Sequence, residues 1–89
     1  MKLDFNFNLT DLDGQPIENA NAGKLLANTL AQQAKGDALK FWELALSLHK
    51  GEIVDLDTSD QTALKNFIKE SDALAIFAKG QLIRVFKED

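Results

Sequence analysis

Two groups of carboxylates, Asp11 with Asp13 and Asp55 with Asp57 and Asp60, come nearest in type and spacing to metal chemistry. A calcium loop needs a further oxygen ligand at its fifth position, glycine at its sixth and glutamate at its twelfth. Counted from Asp11, those positions are Gln15, Pro16 and Ala22. Counted from Asp55, Asp60 stands where the glycine belongs and Asn66 where the glutamate belongs. Neither match holds, and a turn accounts for Asp11-Leu12-Asp13-Gly14 without a metal. His49 is the only histidine and there is no cysteine, so it lacks partners for a metal site. As a general base it would need a nucleophile and an orienting group. Ser47 lies two residues away, on a different face of the same helix. A boundary histidine near a helix C-terminus is the simpler reading. The glycines Gly36 and Gly80 stand alone and form no phosphate loop or dinucleotide fingerprint. With no convergent acid, base and nucleophile, the chain reads as a non-enzyme with no cofactor, no metal and no evident small-molecule substrate.

Binding chemistry is better represented. Asp37 to Gly51 reads DALKFWELALSLHKG. On a helical wheel Leu44, Leu48, Phe41, Ala45, Ala38, Trp42, Leu46 and Leu39 sweep one continuous arc, and only Lys40, Glu43, Ser47 and Lys50 fill the gap. A surface helix needs an apolar stripe of ~100° or slightly more. This arc is about twice that width, so it demands cover on two sides, from its own domain or from another protein. Phe41 and Trp42 point about 100° apart. Either both are core, or one packs inward and Trp42 anchors a partner at the edge. Leu39, Trp42 and Leu46 are therefore candidate contact residues, together with the apolar C-terminal segment. A second candidate surface is the stretch from Gly51 to Leu64, which carries Glu52, Asp55, Asp57 and Asp60 and no base. It is either a solvated loop and helix start or an acidic patch, led by Glu52, Asp55 and Asp57, that docks on a basic partner. Such a patch would mask a basic nucleic-acid-binding surface on that partner. Direct nucleic-acid binding is disfavoured by the net charge of −4 and the scattered bases. The expected partner is another protein or a second copy of the chain.

The elements that must position these residues follow from pattern. Leu3, Phe5, Phe7 and Leu9 alternate with polar residues and predict a half-buried strand. Asp13-Gly14 predicts a two-residue hairpin turn with both residues at φ > 0. Pro16 predicts a short return arm at a sheet edge. Asn19 to Gly23 reads as a linker, with Asn21 capping a helix over Ala22–Lys35. Leu25, Leu26, Thr29, Leu30 and Gln33 share its apolar face. Gly36 supplies a left-handed exit and Asp37 caps the next helix, so the two should fold back as an αα-hairpin. Lys50-Gly51 stops the second helix. Ile53–Leu56 is extended and able to pair with the N-terminal strand. Thr58 and Gln61 read as the capping box of a third helix, whose stripe is Ala63, Leu64, Phe67 and Ile68. Asp72 to Asp89 reads as a helix with Leu74, Phe77, Ala78, Gln81, Leu82, Val85 and Phe86 on one face. A hairpin around Lys79-Gly80 is the alternative, and three alanines weigh against it. Phe5, Phe7, Phe67 and Phe77 are most simply core.

The expected fold is thus α+β and mostly helical: an N-terminal β-hairpin (1–18) packed on a helical core (21–89) of three to four helices. Eighty-nine residues suffice for one domain. A hydrophobic content of 45% fits a folded protein. No signal-peptide pattern and no apolar run of ~18 residues is found, so a soluble cytoplasmic protein is expected.

The segments LTDLDGQPI, GKLLANTLAQQAKGDALKFWELALSLHKGEIVDLDTSDQTALKNFI and AKGQLIRVF resemble small uncharacterised proteins of tailed phages and prophages of gut bacteria. In that group an Asp-Leu-Asp-Gly-type turn opens a helical domain and an apolar segment ends the chain. The likeness is one of general pattern over nearly the whole length. Gly80 departs from it, standing where a helix former is expected. The resemblance implies a viral origin and synthesis in a bacterial host cytoplasm; the function expected of the chain is that of a binding module acting in virion assembly or host takeover. The resemblance brings no catalytic or binding residues.

Overall fold

The computed structural model of the protein describes residues 1–33 and 36–86. Among them the architecture is α+β and mostly helical, with four helices and two small antiparallel sheets. The expected helix end at Lys35 and the last three residues of the C-terminal segment lie outside the described residues.

The alternating run at the N-terminus does not form one strand. It divides into β1 (Lys2–Leu3) and β2 (Asn8–Thr10). Between them the chain turns, with the Phe7 amide donating to the Phe5 carbonyl at 2.9 Å and the Asn6 amide to the Asp4 carboxylate at 2.9 Å. Alternation specifies which side chains face the core, not whether the backbone stays straight. Leu3, Phe5 and Leu9 are buried as the pattern requires.

β2 pairs with β3 (Pro16–Asn21), and the turn between them is longer than expected. Gly14 is left-handed at φ 82°, but Asp13 is not, so this is no two-residue turn. The Asp11 carboxylate instead accepts the amides of Asp13 (2.9 Å) and Gln15 (3.0 Å) and closes a three-residue loop. The return arm is also not short. It runs to Asn21, through what was expected to be a linker, and the register from Asn8↔Asn21 to Thr10↔Pro16 contains an irregularity. Asn19 absorbs it at φ 61°, a region that asparagine tolerates better than most side chains.

β1 pairs with β4 (Val54–Asp55) in the register Lys2↔Asp55 and Leu3↔Val54, as the extended character of Ile53–Leu56 anticipated. Helix α1 (Ala22–Gln33) begins directly after β3, and the Asn21 side chain accepts the Lys24 amide at 3.0 Å. Helix α2 (Ala38–His49) folds back on α1, and the Asp37 carboxylate accepts the Lys40 amide at 3.1 Å. Helix α3 (Thr58–Glu70) is capped one residue earlier than expected. Asp57, not Thr58, takes the Asp60 amide at 2.8 Å, and the Gln61 amide group reaches back to the Leu56 carbonyl at 2.9 Å. Both residues are good N-caps, and the extended backbone of Asp57 (ψ 176°) selects it. The C-terminal segment is a helix, α4, but it spans Ile76–Val85 and not Asp72 onward.

The core draws on every part of the chain. Leu3, Phe5, Leu9, Leu26, Leu48, Leu64, Ile68 and Leu82 are its largest fully buried side chains. The rings of Phe5 and Phe86 meet edge to face at 5.8 Å, joining the N-terminal segment to the end of α4. Gln81 on α4 acts as a substitute strand for β2. Its Oε1 accepts the Thr10 amide at 2.8 Å and its Nε2 donates to the Thr10 carbonyl at 2.9 Å. Among the described residues no buried side-chain nitrogen or oxygen lacks a partner.

Two glycines give opposite expectations. A Cβ on Gly23 would lie 2.8 Å from the Leu48 carbonyl oxygen, whereas a Cβ on Gly80 would meet nothing within 4 Å. Gly23→Ala should therefore cost about 1–3 kcal/mol through overpacking. Gly80→Ala should stabilise by about 0.5–1 kcal/mol, because alanine orders the helix at lower entropic cost. Urea-denaturation midpoints at an unchanged slope will show the two shifts in opposite directions.

Candidate interaction surface on the second helix

The outer face of α2 is built by ordinary helix rules. Gly36 at φ 114° turns the chain out of the preceding segment, Asp37 caps the start, and Gly51 at φ 81° ends it. Twelve residues between these stops present a wheel with two apolar sides. One side is used. Ala45 and Leu48 are buried and Phe41 and Leu44 pack partly against the core. The approach to α1 on this side is close because Gly23 carries no side chain.

The other side is not used. Leu39 is 66% exposed, Trp42 54% and Leu46 40%. Their spacing of i, i+3 and i+7 places them in one line along the helix. Phe41 and Trp42 separate as their 100° offset demands, so the reading in which both are core is corrected. Phe41 turns inward and Trp42 stays out. Glu43 and Lys50, both exposed, flank the line.

The acidic stretch is dispersed among structural tasks. The Asp55 carboxylate lies 3.3 Å from the Met1 amino group. Asp57 caps α3, and Asp60 forms an ion pair with Lys40 of α2. That hydrogen bond and the charge of Asp60 raise the Lys40 pKa above its ordinary 10.5, helped by Asp57 and Asp37. Glu52 is exposed and is the one acid of the four without an ion pair or side-chain hydrogen bond among the described residues. The Asp11 carboxylate is likewise occupied by the hairpin turn. Among the described residues no group of three or more His, Cys, Asp or Glu side chains is placed to hold a metal ion. His49 is exposed at the end of α2. No helix among the described residues is long and apolar enough to cross a membrane.

A second exposed apolar group joins the hairpin tip, which was not anticipated, to the C-terminal segment, which was. Leu12 at the hairpin tip is fully exposed, Ile76 is 82% exposed and Phe77 46%. With Ile17, Gly80 and Arg84 they line a shallow groove between the hairpin and α4. Phe77 was expected in the core. α4 begins only at Ile76, so its inward face is set by Ala78 and Leu82, and Phe77 falls beside that line. The apolar type of Leu12 within a turn was the sequence signal of the hairpin side of this groove.

No family model matches the chain, and neither the curated proteins nor the solved structures contain a match to it.

Capping and charge pairing at this surface can be separated by experiment. Asp57→Ala should cost about 1 kcal/mol of stability through loss of the α3 cap. Asp55→Asn should change stability by only about 0–1 kcal/mol, since that carboxylate is 70% exposed. The Lys40–Asp60 contribution should be complete below the ordinary lysine value of 10.5 and disappear as pH rises through the higher value of Lys40. A side-chain NMR titration should find Lys40 holding its proton to higher pH than in an Asp60→Asn variant.

Proposed function

We propose that the protein is a non-enzymatic interaction module whose contact surface is the outer face of α2. The observation that carries this reading is a tryptophan more than half exposed between two exposed leucines on one helical line. Tryptophan is the side chain most enriched at binding hot spots, and an apolar helix face is a common docking element. Leaving this line in water forgoes burial worth about 25 cal/mol per Å². A partner that covers it recovers that energy without reshaping the fold, since the helix is already capped and packed on its inner side. The resemblance to tailed-phage proteins supports placing such an interaction in virion assembly or host takeover, within a bacterial cytoplasm.

The reading as an acidic mask for a basic surface draws less support. Asp55, Asp57 and Asp60 each already hold a cationic or backbone partner, and of the four only Glu52 holds none among the described residues.

A photoreactive phenylalanine analogue placed at Trp42, and separately at the exposed Asn66 of α3, tests the interaction reading in the cells that make the protein. Adducts should form from position 42 and not from position 66. They should vanish when Leu39 and Leu46 are both changed to Asp. Equal labelling from the two positions, or none, overturns the proposal.

A further inference from the structure

The hairpin tip holds the one place in the chain where an aspartate or asparagine precedes a glycine, Asp13-Gly14. At such a pair the glycine amide nitrogen can attack the aspartate carboxyl carbon, because no Cβ on the following residue obstructs the approach. Every other interior Asp or Asn is followed by a residue with a side chain. Asp13 and Gly14 are both exposed, Gly14 stands at φ 82°, and a Cβ built on it would meet nothing within 4 Å. Exposed loop tips are also where a folded chain opens most readily.

The reaction balances with no co-reactant other than water. The bond from the Gly14 nitrogen to Asp13 Cγ forms and the Cγ–OH bond of the neutral carboxyl breaks. The amide proton leaves with that hydroxyl as water. A second water then opens the cyclic imide at either carbonyl. Attack at Cγ restores aspartate. Attack at the α-carbonyl leaves the chain running through Cγ, as isoaspartate with a free α-carboxylate.

The loop itself restrains this step. Four hydrogen bonds close it, and all of them end on Asp11. The Asp11 carboxylate accepts the amides of Asp13 (2.9 Å) and Gln15 (3.0 Å). The Asp11 carbonyl accepts the Gly14 amide at 3.0 Å, and the Asp11 amide donates to the Gln15 carbonyl at 2.9 Å. While these bonds hold, the Gly14 N–H is engaged and the backbone around Asp13 is fixed. Reaction therefore requires the loop to open, and Asp11 controls the opening. Isoaspartate adds a methylene to the main chain between Asp11 and Gln15, so the clasp no longer fits the loop it closes. Leu12 and Gly14, which wall the groove against α4, lie inside the altered segment.

From these observations we propose that Asp13 is a modification site that converts spontaneously to isoaspartate, with Asp11 as the residue that restrains the conversion. The proposal is independent of the reading of α2 as an interaction surface.

Incubation of the folded protein at neutral pH and physiological temperature, followed by peptide mapping with electron-transfer fragmentation, provides the test. Isoaspartate should accumulate at Asp13 and at no other position, more slowly than in the same chain unfolded in urea. Asp11→Ala should raise the rate about fivefold or more, as loss of hydrogen bonds of ordinary strength implies. Asp11→Asn, whose side-chain oxygen can accept the same two amides, should keep the rate near that of wild type. Asp57→Ala weakens the fold at a distant cap and should leave the rate unchanged, which separates local opening from global unfolding. If Asp13 stays unmodified after the urea-unfolded chain has converted, or if another position converts faster, the proposal is overturned. An unchanged rate in Asp11→Ala, or an equal rise in Asp57→Ala, overturns the restraining role of Asp11.

Discussion

The structure depends on the seat of the first turn of α1. The opening amides of a helix have no partners within it and must find them elsewhere. Here the Ala22 amide donates to the Phe7 carbonyl at 2.7 Å, the Gly23 amide to the Phe5 carbonyl at 2.9 Å, and the Lys24 amide to the Asn21 side chain at 3.0 Å. The segment that bridges the two N-terminal strands is thus the cap of α1. This is why the alternating run cannot continue straight, since its carbonyls at positions 5 and 7 are turned toward a helix end. The same turn places Gly23 between that segment and the Leu48 carbonyl of α2, with room for no side chain. One short contact therefore joins the N-terminal segment, α1 and α2.

The outer face of α2 follows from this arrangement. Once α2 is held against α1, its inner residues Ala45 and Leu48 are satisfied. What remains of the chain is two two-stranded sheets and the α3–α4 pair, and these close the core around Phe5, Leu64, Ile68, Leu82 and Phe86. A chain of this length hides only ~60–65% of its unfolded surface on folding. Among the described residues no element covers Leu39, Trp42 and Leu46. The apolar surplus is a consequence of size and of which side of α2 the Gly23 contact selects.

Most polar side chains that suggest chemistry in the sequence serve the backbone in the fold. Asp11, Asp37 and Asp57 each accept main-chain amides at a turn or a helix start. Gln81 completes the open side of β2 at Thr10. β3 is unpaired on its far side in its sheet, but Pro16 and left-handed Asn19 make that edge a poor template for another strand. The fold thus blunts the β3 edge and satisfies Thr10 of β2 while leaving an apolar helix face open.

The elements were legible because their signals are local. The helix stop at Gly51, the cap at Asp37, the pairing tendency of Ile53–Leu56 and the apolar stripe of α3 are properties of a few neighbouring residues. The double-sided wheel of α2 was equally plain, whereas the exposure of Trp42 was not, because the sequence also allowed both aromatics to be core. The choice between two adjacent caps, Asp57 and Thr58, was not legible, because both side chains suit the position and the path of β4 decides. Nor was the three-residue hairpin loop, because the Asp11 carboxylate competes with the tighter turn that Asp13-Gly14 alone would make. The exposure of Phe77 and Leu12 depends on where α4 starts and which way it leans. By itself, then, the sequence determined that α2 has more apolar circumference than one neighbour can cover. Only the tertiary structure decided which part stays in water, because that depends on a backbone contact at Gly23 between residues far apart in the chain, which no local pattern encodes.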